Sequence, residues 1–71
     1  MLTNTQMNTA LASAGYLSCR VFTAEDLSVE LWQGKRGLIA KLVWTAADNG
    51  RILTNVGVPL DDLQTLVSWL N

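Results

Sequence analysis

The side chains in this sequence that can move a proton or attack a substrate are six carboxylates and one thiol, and no histidine accompanies them. The carboxylates are Glu25, Asp26, Glu30, Asp48, Asp61 and Asp62. Each has an ordinary explanation at a strand edge, in a turn or in the first turn of a helix, so no pair is predicted to perform acid–base catalysis. Cys19 has no histidine to serve as its base, and we interpret it as a small buried hydrophobic residue. The sequence therefore predicts a protein that is not an enzyme.

Ligands for metals and phosphates are equally scarce. A single cysteine without any histidine provides no plausible zinc site, and neither a metal ion nor a cofactor is expected. Residues 34–37 place two basic residues between two glycines, as some phosphate-binding loops do. The segment lacks the length and the following helix that would direct backbone amides at a phosphate, so we interpret it as the tip of a hairpin.

The composition indicates one small domain that spans residues 1–71. A chain of 71 residues buries only about 60% of the surface that it exposes when unfolded, which predicts a thin margin of stability. Charged residues make up 15% of the chain, against roughly 25% in an ordinary soluble domain. With a net charge of -1 and 5 scattered basic residues, the chain lacks the clustered positive face that holds nucleic acid by its phosphates.

The N-terminal segment and the cysteine content bear on location. Residues 1–6 lack the basic and apolar regions of a signal peptide, and no apolar stretch approaches the ~20 residues that span a bilayer. The lone Cys19 cannot form an internal disulfide. We therefore expect the protein to work in the reducing cytoplasm, without a membrane partner.

Alternation of apolar and polar residues predicts an antiparallel meander of four strands. The strands are predicted at residues 16–23, 27–31, 38–44 and 52–58. A competing helix over residues 23–33 conflicts with the strict period of two in Leu27, Val29 and Leu31, and we reject it. The sheet is therefore predicted to be built from hairpins.

A helix is predicted on either side of the meander. Thr3 and Gln6 have the spacing of a capping box, an apolar stripe follows, and Gly15 suits the left-handed residue that ends a helix. Pro59 fits the first position of a second helix that runs to residue 70. The predicted fold class is α+β, with an N-terminal helix, a four-stranded antiparallel meander and a C-terminal helix, both helices lying on one face of the sheet.

Two hairpin registers follow from matching apolar partners across the ladders. A two-residue turn beginning at Gly34 pairs Leu31 with Leu38. A three-residue loop with a left-handed Gly50 forms the second hairpin. That loop pairs Leu42 with Val56, Ala40 with Val58 and Trp44 with Thr54. The face that the helices are predicted to cover then holds Leu27, Val29, Leu31, Leu38, Ala40, Leu42, Trp44, Ile52, Val56 and Val58.

The opposite face is predicted to mix polar residues with Trp32, Ile39, Val43 and Leu53, which makes it too apolar for a solvated surface. One interpretation has Trp32 lying across Gly37 within a monomer, and an ion pair between Glu30 and Lys41 shielding Ile39. The other makes this face an interaction surface. Trp69 falls off the apolar stripe of its helix, so it either packs at the edge of the core or serves a partner.

These patterns favour a non-catalytic protein-binding module that uses the open face of its sheet. The module would be an inhibitor, an adaptor or a homodimeric accessory protein, and small size alone suggests a bacterial or phage accessory factor. The predicted protein-binding residues are Trp32, Ile39, Val43, Leu53 and Trp69. The alternative is a nucleic-acid-binding accessory protein, which requires five basic residues to converge on that face. Those residues are Arg20, Lys35, Arg36, Lys41 and Arg51.

Overall fold

The fold is α+β, with two helices packed on one face of an antiparallel sheet. The computed structural model describes residues 1–71. Its elements are β1 (Leu2–Thr3), α1 (Asn4–Ser13), β2 (Leu17–Ala24), β3 (Leu27–Gly34), β4 (Gly37–Trp44), β5 (Asn49–Leu53), β6 (Pro59–Leu60) and α2 (Leu63–Leu70). Strands follow the order β1-β5-β4-β3-β2, and β6 also pairs with β5. The predicted class and meander are confirmed, and two short strands, β1 and β6, are added to the edge of β5.

The first helix begins and ends as its sequence predicts. The amide of Gln6 donates to Thr3 Oγ1, and the amide of Thr3 donates to Gln6 Oε1, each at 3.0 Å. This reciprocal pair is a capping box, because each side chain satisfies a backbone amide that the first turn leaves free. Gly15 follows the last turn with a φ of 82°, so the chain can leave the helix and enter β2.

Residues 23–33 form no helix and belong instead to the strands β2 and β3 and the turn between them. Ala24 pairs with Leu27, so β2 and β3 form a hairpin. In the next hairpin Gly34 pairs with Gly37, which makes residues 35 and 36 the turn. Leu31 therefore pairs with Ala40 rather than with Leu38. The prediction was wrong by two residues, a shift that keeps the same side chains on the same face.

The second predicted loop is wrong in both register and backbone conformation. Trp44 pairs with Asn49, and Leu42 pairs with Arg51 rather than with Val56. Asp48 has the left-handed φ, 54°, whereas Gly50 lies inside β5. The shift is an odd number of residues, so it moves every β5 side chain to the other face of the sheet.

The second helix starts later than predicted. Pro59 and Leu60 form β6 against β5, and α2 begins at Leu63. Asp62 is its N-cap, because Asp62 Oδ1 accepts from the Thr65 amide at 2.9 Å and Oδ2 accepts from the Thr65 hydroxyl at 2.8 Å. These bonds hold the pKa of Asp62 below its ordinary value.

The helices cover the sheet face opposite to the predicted one. The buried hydrophobic residues are Leu2, Met7, Leu11, Tyr16, Trp32, Ile39, Val43, Ile52, Leu60, Leu66 and Leu70. A side chain at Gly34 would overlap the ring of Tyr16, which follows α1 and is itself buried. Tyr16 Oη also accepts from the Arg36 amide at 3.1 Å. Glycine at position 34 thus lets Tyr16 hold α1 on this face, a packing effect that apolar alternation does not reveal.

Candidate interaction surface

The residues predicted to bind a partner do not form one surface. Trp32, Ile39 and Val43 are only 9%, 2% and 7% exposed, because they lie on the face that the helices cover. Their predicted position on an uncovered face is wrong. Leu53 does lie on the uncovered face, paired with Ala40. Trp69 is half-buried on α2, packs against the core and has the guanidinium of Arg36 5.3 Å from its ring, which matches the core-edge alternative.

A polar cluster is enclosed between α1 and the covered face. Lys41 is 6% exposed, and its Nζ donates to Asn4 Oδ1 at 2.8 Å and to Asn8 Oδ1. The same nitrogen lies 2.9 Å from Glu30 Oε1, which also accepts from Trp32 Nε1 at 2.7 Å. A cleft of about 570 Å³ lies beside the cluster. Because the three N–H groups of Lys41 already have partners within the fold, the lysine ties α1 to the sheet and its ammonium has no donor left for a ligand.

The cluster makes stability depend on pH through Glu30. Burial raises the pKa of Glu30. Hydrogen bonds from Lys41 and Trp32, together with the charge of Lys41, lower it by more than burial raises it, so the pKa lies below its ordinary value of 4.5. A lowered pKa contributes stability that is present above pH 4.5 and is lost as the pH falls through the folded value. We expect the Tm to fall in that acid range, and Glu30→Gln to flatten the fall.

Thermal unfolding between pH 7 and pH 2.5 measures this effect. The dependence that survives in Glu30→Gln should come mainly from Asp62, whose pKa is also lowered. An acid limb of unchanged slope in Glu30→Gln would show that Glu30 makes no such contribution.

The other side of the sheet carries no helix, and we call it the open face. It consists of the side chains that the strand pairings place together on that side. On the four long strands they are Leu17, Arg20, Phe22 and Ala24 on β2, Leu27, Val29, Leu31 and Gln33 on β3, Leu38, Ala40, Leu42 and Trp44 on β4, and Asn49, Arg51 and Leu53 on β5. Thr3 of β1 and Pro59 of β6 lie beside Asn49 and Leu53 on the same side. None of them belongs to the buried core. Leu17 is 73% exposed and Phe22 is 51% exposed, so this apolar surface is in contact with solvent.

Among the four long strands, charge on the open face is confined to the outer two, β2 and β5. Arg20 on β2 has its guanidinium 5.8 Å from the ring of Phe22, and Arg51 on β5 lies 5.9 Å from the ring of Trp44. Arg51 Nε is also 3.0 Å from Asp61 Oδ1. The two central strands contribute no charge to this face. The open face therefore has an apolar centre between two charged strands, an arrangement that many protein interfaces share.

The five basic residues do not converge. Arg20 and Arg51 lie on the open face, whereas Lys41 is buried on the covered face. Arg36 lies against Trp69 on the helical side, and Lys35 lies beside it in the turn. The arrangement supplies no continuous basic path for a nucleic-acid backbone.

A smaller apolar groove lies between α1 and α2, away from the sheet. Its volume is about 440 Å³, and Ala10, Ala14, Leu63 and Val67 contribute to its walls. Leu63 and Val67 are exposed. Compared with the open face, the groove has few large side chains, and it provides a matched location for control variants.

The fold and its surfaces define a two-layer α+β protein with one sheet face left bare. No protein-family model matches the chain, and no curated protein or solved structure matches it either. The side chains bring no three histidine, cysteine, aspartate or glutamate residues close enough together to hold a metal ion. Neither helix has the length and apolar character needed to cross a bilayer.

Proposed function

We propose that the protein is a non-catalytic protein-binding module that docks its partner on the open face. The observation that carries this proposal is the apolar character of that face, which no element of the fold covers. Inhibitor, adaptor and homodimeric accessory protein are three uses of one such surface. Cys19 is exposed, so its interpretation as a buried residue was wrong. A free thiol is compatible with a reducing cytoplasm, and the small size of the chain suggests an accessory factor of a bacterium or phage.

The size of the open face supports this proposal. Three strands of eight residues and one of five, spaced ~4.8 Å apart and rising ~3.4 Å per residue, give a face with a projected area of just under ~500 Å². β2, β3 and β4 each have 8 residues, and β5 has 5. Most of the side chains on this face are apolar, and an apolar patch of several hundred Å² on a monomer is often functional.

The chemistry of the face favours a protein surface as its partner. Its centre consists of aliphatic side chains such as Val29, Leu31 and Leu42, and their removal from water on binding is favourable. Phe22 and Trp44 are large aromatic side chains of the kind that anchor interfaces. The dispersal of the basic residues gives the nucleic-acid alternative no comparable support.

Val29→Lys is expected to weaken partner binding. Val29 lies on a central strand of the open face and is half-buried in the monomer, so a lysine there keeps its alkyl stem on the sheet and its ammonium in water. Docking would bury that charge, and we expect a loss of about 2 kcal/mol, or roughly thirtyfold in Kd.

The measurement is quantitative capture of partners by the immobilised protein, a second copy included, with Val67→Lys as the control. Val67 is an exposed aliphatic residue in the groove between the helices, so the control adds the same charge elsewhere. Equal capture by wild type and Val29→Lys, or loss in Val67→Lys alone, would contradict the proposal.

A further inference from the structure

We infer that the partner on the open face is a second copy of this chain, packed face to face as the other half of a β-sandwich. The inference rests on the proposed function and names its partner. Two sheets of the same twist pack face to face about 10 Å apart, with their strands within about 30° of each other. The open face is formed by four antiparallel strands, and both helices lie on the other side of the sheet.

The buried area reaches what a specific dimer needs. Two faces of roughly 500 Å² each bury about 1,000 Å² in total, before the relief of the side chains is counted. That is the lower limit for a specific interface, and it corresponds to a dimer that dissociates on dilution. A pairing of this kind would also give a small chain a second apolar core beside its 11 buried hydrophobic residues.

The strand pairings arrange the open face in four rows that run across the strands. From one end to the other, the rows are Leu17, Gln33 and Leu38; Arg20, Leu31, Ala40 and Leu53; Phe22, Val29, Leu42 and Arg51; and Ala24, Leu27, Trp44 and Asn49. The two arginines are therefore in different rows and on opposite outer strands. They occupy diagonal positions.

This diagonal arrangement suits a two-fold axis lying between two copies. An axis across the strands exchanges the second and third rows, so that Arg20 meets Phe22 of the second copy and Ala40 meets Leu42 of the second copy. An axis along the strands exchanges the outer strands instead, and Arg20 then meets Leu53 of the second copy. In neither case does one arginine meet another, and the one carboxylate beside the face, that of Asp61, is already paired with Arg51.

The free edge of β2 is the competing place for a second copy. β2 pairs only with β3, so its other edge has unpaired backbone groups. The register shift between Ser18 and Arg20 is a bulge that interrupts this edge. Edge pairing would also leave the open face in water. Face-to-face packing removes that apolar surface from solvent, and this favours it.

Sedimentation equilibrium over concentrations up to about 1 mM tests the inference, since weak dimers form in this range. Wild type should approach twice the chain mass of 7.8 kDa. Val29→Lys should sediment as a monomer at every concentration, and Val67→Lys should dimerise like wild type. Far-ultraviolet circular dichroism of each variant confirms that it is folded, and Leu31→Lys serves as a second face variant should Val29→Lys unfold.

Three outcomes overturn the inference. A dimer that survives both face variants uses another surface, such as the edge of β2. A monomeric wild type whose capture of another protein is lost in Val29→Lys refutes the second copy but leaves the proposed function standing. A monomeric wild type whose captured proteins are unaffected by Val29→Lys refutes both.

Discussion

Gly50→Ala is expected to destabilise the protein by about 3 kcal/mol. Gly50 pairs with Val43 inside the sheet and is buried, and a side chain there would overlap the backbone carbonyl of Leu42. Because the obstacle is backbone, β4 and β5 would have to separate. A chain of this length has a total stability of roughly 4 to 10 kcal/mol, so much of it would be lost. Urea unfolding measured by tryptophan fluorescence gives the difference.

Gly57→Ala is the control for this prediction. Gly57 has a φ of 84° and nothing within contact distance of the added methyl, so only the left-handed backbone should cost stability, by about 1 kcal/mol. A Gly50→Ala loss no larger than the Gly57→Ala loss would mean that the strands accommodate the methyl group.

Lys41→Met is expected to cost about 3 kcal/mol of unfolding free energy. Methionine keeps most of the volume but removes the charge that faces Glu30 and the donors that satisfy Asn4 and Asn8. The Glu30 carboxylate would keep its bond from Trp32 Nε1 yet lose its counter-ion in a site where its side chain is only 20% exposed. Urea unfolding at pH 7 measures this loss.

The double variant Glu30→Gln with Lys41→Met separates the charge effect from packing. A buried ion pair is costly mainly when one partner is left alone, so removing both charges should restore a large part of the stability. A double variant that is as unstable as the sum of the two single variants would show that the two side chains act independently.

The sequence predicts correctly those parts of the fold that are set by residues close to one another along the chain. The capping box needs only Thr3 and Gln6, the end of α1 needs Gly15, and the period of two in Leu27, Val29 and Leu31 distinguishes a strand from a helix. These signals are local, and packing did not override them.

The prediction of which sheet face the helices cover was wrong because both faces of the sheet are apolar. Alternation favours covering Val29, Leu31 and Leu42, and nothing local opposes it. The actual choice follows from long-range contacts: the ring of Tyr16 packs in space that a side chain at Gly34 would fill, and Leu2 pairs with Gly50. The missing side chain at position 34 allows the first of these contacts, and a hydrophobic pattern does not register it.

The predicted binding residues were wrong for the same reason. Trp32, Ile39 and Val43 share the face that was predicted to be open. The helices cover that face instead, so all three side chains lie in the core. Leu53 reached the open face only because the β5 register was also wrong by an odd number of residues. Gly50 was predicted to be the left-handed residue of a loop, but it lies inside β5, where an isolated glycine indicates a close approach of backbone rather than a turn.

The position of β5 sets an order for assembly of the chain. β2, β3 and β4 are joined by short turns and need only small loops to close, whereas Leu2 must find Gly50 from the far end of the sequence. Closing a long loop costs more entropy and delays folding. The central hairpins are therefore expected to form while both faces of the sheet are still exposed to solvent. The core is completed when the terminal segments pair with β5.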